Sequence, residues 1–183
     1  PYDKNSKKVD PSYVIDSINR IISVAPRGSI IVIESTISPG TVDRSIRPIF
    51  ERNGLVLGSD FHIAHAPERI IPGNMLYELE NNSRIVGADS VEVAEKVRDI
   101  YSSFCKGDIV LTDIRTAEMT KVVENTFRDI NIAYANELAK ICSSDGMDVY
   151  KIIEIANMHP RVNIHTPGPG VGGHCLAVDP WFV

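Results

Sequence analysis

The feature that most limits how this chain can fold is the run TAEMTKVVENTFRDINIAYANELAKICSSDG, from Thr116 to Gly146. It contains no helix breaker before its final glycine, and its apolar residues recur at helical spacing, so it predicts one long helix. DVYKIIEIANM predicts a further helix before His159-Pro160, and nothing after Leu111 reads as a strand. Upstream the pattern changes. Asp10-Pro11 marks a helix start, with aspartate as cap and proline at the first helical position, and SYVIDSINRIISVA follows at helical spacing. SIIVIES is a β-branched run of strand length, and TISPGTVDRSIRPIFERN turns at Pro39-Gly40 into a second helix. FHIAHAPER, SRIVGA and DIVLT are further strand candidates, with the amphipathic helix SVEVAEKVRDIYSSF before the last. Apolar strands alternating with helices predict a parallel, doubly wound α/β sheet covered on both faces. The boundary falls near residue 114, giving an α/β domain over 1–114 and an all-α domain over 115–183.

A net charge of −5 argues against a nucleic-acid or polyanion surface. No run approaches a membrane span, and no basic-then-apolar start marks a signal peptide. The three cysteines include no C-x-x-C pair, which leaves neither a disulfide framework nor a zinc site. A reducing, cytoplasmic setting is the simplest expectation. PYDKNSKKVDPSYV reads as a loop, and the chain stops at WFV where a helix begins, so it reads as an excerpt from something longer.

Gly168, Gly170 and Gly173 spell G-x-G-x-x-G. A dinucleotide fingerprint needs a strand before it and a helix opening directly out of it. HPRVNIHTP is too broken by prolines for a buried strand, and the next helix signal waits until Asp179-Pro180. The glycines are better read as backbone wrapped closely around a ligand or around Cys175.

Cys175 stands four residues before that helix signal, where a thiolate gains some stabilisation; a buried structural cysteine is the alternative. Cys105 and Cys142 lie in helical patterns and read as core. Asp179 is either a plain N-cap or a group that orients water or a neighbouring base. Lys121, Asn125 and Arg128 share one face of the long helix, with Met119, Val123, Ile130, Tyr134 and Ile141 opposite. That pattern fits a solvated polar stripe, although Ile132 and Ala135 lie close to it. Ser35 and Thr36 end a strand, where an open parallel sheet binds ligands, and Glu68 and Arg69 end the next. His62 and His65 point to opposite faces of their strand, which disfavours a shared metal.

Taken together, ESTISPGT, APERIIPGN, AEMTKVVENTFRDINIAYANE and GPGVGGHCLAVDP resemble, in order and spacing, the UDP-glucose/GDP-mannose dehydrogenases, four-electron nucleotide-sugar 6-dehydrogenases. The likeness covers essentially the whole chain. HPRVNI, with GGHC and AVDPWF, is most similar to members acting on UDP-N-acetyl-D-mannosamine. The resemblance implies the C-terminal part of a doubly wound Rossmann-like NAD domain followed by an all-α central domain that forms a homodimer through the long helix. It implies NAD as cofactor and a UDP-sugar as substrate, in the synthesis of acidic amino sugars for surface polysaccharide. Cys175 would be the nucleophile, forming a thiohemiacetal and then a thioester, with Lys121 and Asn125 facing the oxyanion and Asp179 positioning water. Thr36, with Ser35, would contact NAD. Glu68, Arg69, Ile70, Arg128, His159, Arg161 and Gly172 would line the sugar-nucleotide site. Pro72 stands where UDP-glucose dehydrogenases carry a second glutamate, in keeping with the N-acetylmannosamine branch. The family's first strand, true glycine fingerprint and ribose acid would precede Pro1, and its UDP-binding domain would follow Val183. Oxidation of UDP-N-acetylglucosamine or UDP-glucose, or a non-catalytic helical dimerisation module, are the competing readings.

Overall fold

Short strands form here where β-branched and aromatic residues alternate into an apolar interior, and helices where that interior is reached every third or fourth residue. The computed structural model describes residues 2–3, 8–70, 73–173, 176 and 178–182. It resolves into two compact units, Pro1–Val122 with Phe182–Val183, and Val123–Trp181.

The first unit opens with β1 (Tyr2–Asp3) paired antiparallel with β2 (Lys8–Val9), where the sequence reads as loop. Helix α1 (Ser12–Val24) starts one residue later than Asp10-Pro11 predicts; Pro11 holds the cap position, and the Asp10 carboxylate accepts the Ser12 amide at 2.9 Å. Strand β3 (Ser29–Ile33) follows, then a π-helical turn over Val42–Ile46 that runs into α2 (Arg47–Arg52). Strand β4 (Phe61–His65), helix α3 (Met75–Asn81), strand β5 (Arg84–Ala88), helix α4 (Val91–Ser102) and strand β6 (Ile109–Thr112) complete the unit. Helix α3 has no counterpart in the sequence reading because it buries no residue and so carries no periodic signal.

The sheet runs β3-β4-β5-β6. One face packs Ile31, Ile33, Phe61 and Ile63 on Ile18, Val42, Ile46 and Phe50; the other packs Ala64, Val86 and Ala88 on Val93, Ala94, Val97 and Tyr101. Each fully buried isoleucine or phenylalanine contributes on the order of 2 kcal/mol. The doubly wound expectation is met on both faces. Strand direction departs from it: β3/β4 and β5/β6 are parallel, but β4 and β5 are antiparallel, with Ala64 opposite Ala88 and His65 opposite Gly87. A parallel crossover must carry the chain back along the sheet. The seven residues of α3 rise only about 10 Å, short of the roughly 17 Å of a five-residue strand, and β5 itself makes the return.

Helix α5 (Ile114–Ser144) begins two residues before Thr116 and runs through both units. Its start is fixed by Asp113, whose carboxylate takes the Thr116 amide at 2.9 Å and the Thr116 hydroxyl at 2.6 Å. In the second unit Ala135 and Cys142 of α5 pack on Val149 and Ile153 of α6 (Val149–Ala156), whose first turn is capped by Asp148. Cys142 is core as expected. Cys105 is also buried, but in the turn after α4, with Sγ 3.3 Å from the Asn82 carbonyl.

Candidate active site

In the first unit, chemistry gathers where β3 and β4 end. The parallel ladder continues past both strands: the Ala66 amide reaches the Ile33 carbonyl at 3.0 Å, and the Glu68 amide reaches the Glu34 carbonyl at 3.2 Å. Glu68 Oε1 accepts the amides of Arg69 (2.6 Å) and Ile70 (2.9 Å), which fixes its carboxylate against its own chain. Its Oε2 lies 3.4 Å from Nη1 of Arg84, a buried guanidinium at the first position of β5. That guanidinium sits 4.8 Å from the centroid of Tyr101 and 5.5 Å from that of Phe104, two cation–π contacts that suit a cation away from water. The Tyr101 hydroxyl donates to Glu34; burial first, and then that carboxylate, push it well above the ordinary phenol range. Arg69 turns its Nη1 to the Ser83 carbonyl at 3.1 Å. Just beyond β3, Ser35 is exposed and Thr36 half-buried. Two hydroxyls at the carboxyl edge of a parallel strand pair suit a dinucleotide lying across that edge.

In the second unit, the polar face of α5 departs from a solvated stripe at Asn125, while Arg128 stays exposed. Asn125 is 4% exposed and Asp179 5%, and the Asn125 amide donates to Asp179 Oδ2. Asp179 opens a single 3₁₀ turn over Asp179–Phe182 in place of the α-helical start the sequence reading assigns there. Beyond Asn125 the helix uses two more asparagines that the sequence reading passed over. Asn131 donates to the Asn163 carbonyl at 2.8 Å and accepts the His165 amide at 2.8 Å, and Asn136 accepts the Gly168 amide at 2.8 Å. These bonds lay the glycine-rich segment along the helix. A groove of about 780 Å³ opens between them, lined by Asn136, Lys140, Ser143, Gly168 and Val171 among others. A smaller one of about 330 Å³ adjoins it at Asp129, Val171, Leu176 and Trp181. The clue in the sequence was asparagine itself, a weak helix former whose place inside a helix calls for side-chain bonds.

Among the described residues no strand leads into the G-x-G-x-x-G glycines, and the first helical one after them is Asp179, so the described part of this loop does not show the strand–loop–helix frame of a dinucleotide fingerprint. Cys175, His174 and Pro72 lie outside the described residues. Lys121 is half-buried one turn before Asn125 on the same helix, while Arg128, a further turn on, is exposed. His159, Arg161 and Gly172 are exposed, with the Arg161 amide 3.3 Å from His159 Nδ1. On the opposite side of α5, Val123, Phe127, Ile130, Tyr134 and Ile141 are all at least half exposed, an apolar stripe facing away from the chain's own core. His62 is half-buried and His65 wholly buried, as expected for opposite faces of one strand.

An open α/β sheet with two hydroxyl side chains just past β3, followed by a unit built on one long helix with a buried amide–carboxylate pair, places the chain among two-part proteins that join an α/β domain to a helical one. The NAD-binding domain of the UDP-glucose/GDP-mannose dehydrogenase family matches residues 1–105, and the central domain of the same family matches 115–183. The chain belongs to that family. It is 51% identical to a UDP-N-acetyl-D-mannosamine dehydrogenase of Methanococcus vannielii, over 99% of this chain and 40% of that protein. The solved UDP-D-ManNAc dehydrogenase of Pyrococcus horikoshii superposes with a TM-score of 0.93 at 49% identity, covering 100% of this chain and 43% of the other. The native Staphylococcus aureus UDP-N-acetyl-mannosamine dehydrogenase gives 0.86 at 47% identity, over 98% of this chain and 44% of the other. The chain thus spans about 40% of the length of the curated relatives it matches.

Proposed function

We propose that the intact protein containing this chain oxidises C6 of UDP-N-acetyl-D-mannosamine to the uronate with two equivalents of NAD⁺. The observation that carries the proposal is the buried Asn125–Asp179 pair, which stands four residues past Cys175 in the sequence and one turn past Lys121 on the helix. The identity to relatives of that name over nearly the whole chain supports the choice of sugar.

Bound at the edge marked by Ser35 and Thr36, NAD⁺ supplies hydride acceptance in each of two oxidations. Between them, the Cys175 thiol adds to the C6 aldehyde and forms a C–S bond, the carbonyl oxygen becoming the hydroxyl of a thiohemiacetal. Loss of hydride from that carbon and of the proton from its hydroxyl leaves a thioester. Water then adds to the thioester carbonyl and displaces sulfur, breaking the C–S bond, releasing the acid and regenerating the thiol. Lys121 offers a cation, and Asn125 an amide held by Asp179, toward the oxygen that carries charge in these steps. Asp179 orients the hydrolytic water. By the family resemblance, Glu68, Arg69, Ile70, Arg128, His159, Arg161 and Gly172 are the residues assigned to contact with the sugar nucleotide. The exposed stripe on α5 pairs with a second copy of the chain. Among the described residues no helix is long and apolar enough to cross a membrane, and we place the protein in the cytoplasm, where the Cys175 thiol stays reduced.

Cys175→Ser in the intact protein tests the reaction. Net conversion to the uronate is expected to fall at least about a thousandfold, read as NADH formed and acid isolated per UDP-N-acetyl-D-mannosamine consumed. Uronate formation by the variant at the wild-type rate would remove the covalent route. A wild-type preference for UDP-N-acetylglucosamine or UDP-glucose in the same assay would reassign the substrate.

A further inference from the structure

Glu118 lies on the first part of α5 and is 1% exposed, although a carboxylate is among the groups least suited to full burial. Both of its oxygens are used. Oε2 accepts the Gly40 amide, and Oε1 accepts the Val42 amide at 3.0 Å. Those two amides belong to the turn that ends the Thr36 loop and starts the π-helical turn. The turn is itself tightly specified. The Thr41 amide and hydroxyl both reach the Ser38 carbonyl, at 2.9 and 2.6 Å. Gly40 has φ +81°, a left-handed conformation that strains any residue with a side chain, and a Cβ there would also displace the end of the Arg44 side chain, 2.7 Å away at Nη1.

The helix end of the contact is equally fixed. Gly87 in the middle of the sheet leaves no room for a side chain: a Cβ would lie 2.6 Å from the Asp113 carbonyl oxygen and 2.7 Å from the Ala117 Cβ. The start of α5 therefore rests directly on the β5 backbone. Glu118, one residue past Ala117, ties the same turn of helix to the loop after β3. Thr36 lies four residues before Gly40, and Lys121 three residues after Glu118. A shift of about 1 Å in such a pair of groups is enough to cost on the order of a hundredfold in rate.

We propose that Glu118 is a positioning residue for the dehydrogenase reaction, holding the cofactor loop of Thr36 in fixed register with the turn of α5 that presents Lys121. This rests on the roles given above to Thr36 and Lys121. Burial raises the Glu118 carboxyl above its ordinary value while the two amides act in the opposite sense, so the bond pair, more than its charge, is what the site retains. Glu118→Gln is the matching probe. It keeps the shape and one acceptor oxygen, but sets an NH₂ donor against one of the two amide donors.

The test uses the intact protein, with NAD⁺ and UDP-N-acetyl-D-mannosamine as probes and Cys175→Ser alongside. Glu118→Gln is expected to melt cooperatively yet show KM for NAD⁺ raised about tenfold and kcat lowered about tenfold or more, with KM for the UDP-sugar changed less than about twofold. Glu118→Asp keeps the charge but cannot reach both amides, and it is expected to behave likewise. If either variant melts at a lower temperature with kcat and both KM values unchanged, or if neither folds, Glu118 serves the fold alone and the proposal is overturned. Absence of wild-type turnover would instead overturn the dehydrogenase reading, which separates the two failures.

Discussion

The two units bury polar groups in opposite ways. The first encloses ionisable side chains in an apolar sheet domain: His65 and Glu118 are at most 1% exposed, and Arg84 7%. Among the described residues the second has a small core of Ala135, Cys142, Val149 and Ile153, and it turns Asn125 and Asp179 inward while Val123, Ile130 and Tyr134 of α5 face outward. The sheet domain has an apolar cluster on each face of its strands and spares interior positions for charges that set loop geometry. A unit built around one helix lacks that apolar area. Its amide side chains hold the glycine-rich segment, and its apolar face is exposed.

The sharpest way to break this contrast is at the Asn125–Asp179 pair. Asn125→Ala removes the amide that donates to the buried Asp179 carboxylate, and on the roles proposed above kcat of the intact protein is expected to fall about 10²–10³-fold. Asp179→Asn keeps a hydrogen-bonding partner for Asn125 but removes the charge, so it is expected to lose turnover with a smaller loss of thermal stability. Should Asn125→Ala retain kcat within about threefold, the pair belongs to the scaffold and the second unit loses its distinguishing chemistry.

Next in size is the outward stripe. Ile130→Asp with Tyr134→Asp would bury unpaired carboxylates at any helix-to-helix contact made there, a penalty of several kcal/mol, roughly 3–5 for charges left without partners. Sedimentation of the intact protein is expected to show a dimer for wild type and a monomer for the double variant, with the dissociation constant raised at least about a hundredfold. A wild-type monomer, or a dimer indifferent to both changes, would mean that the apolar face serves something other than self-association.

What the sequence made legible follows the same division. Strands β3 and β5, helix α4 and the long helix were readable because local periodicity and β-branched content decide them, whereas the caps that Ser90 and Asp148 supply to α4 and α6 emerge from the structure. The antiparallel step between β4 and β5 was not, because strand direction depends on how the 66–83 connection packs and no local pattern records it. Lys121 and Asn125 stood out on a helical face, yet pattern alone cannot tell whether an apolar face opposite them meets its own chain or another; here it faces outward. Glu34, Arg84 and Tyr101 converge across 67 positions of sequence, and Glu118 meets Gly40 across 78. Each of these reads in isolation as an ordinary surface or strand residue, and only the fold gives it a partner.

The smallest of the expected effects sharpens the first unit's side of the comparison. His65 is wholly buried on β4; its Nδ1–H donates to the Ile33 carbonyl at 2.9 Å, and Nε2 has no partner among the described residues. Burial, opposed only by that hydrogen bond, lowers its pKa to about 4 from 6.5. Between those two values the unfolded chain binds a proton that the folded one refuses, so stability is full above about pH 6.5 and falls as the pH drops toward 4. The loss across that window is roughly 3 kcal/mol, read as the urea midpoint of the intact protein against pH. His65→Leu is expected to flatten this slope. The Ile33 carbonyl keeps the Ala66 amide, so the substitution leaves no backbone group stranded, and it removes the unpartnered nitrogen. If the variant keeps the wild-type acid slope, the sensitivity comes from elsewhere, and the sheet domain does not carry its buried histidine as a neutral core residue.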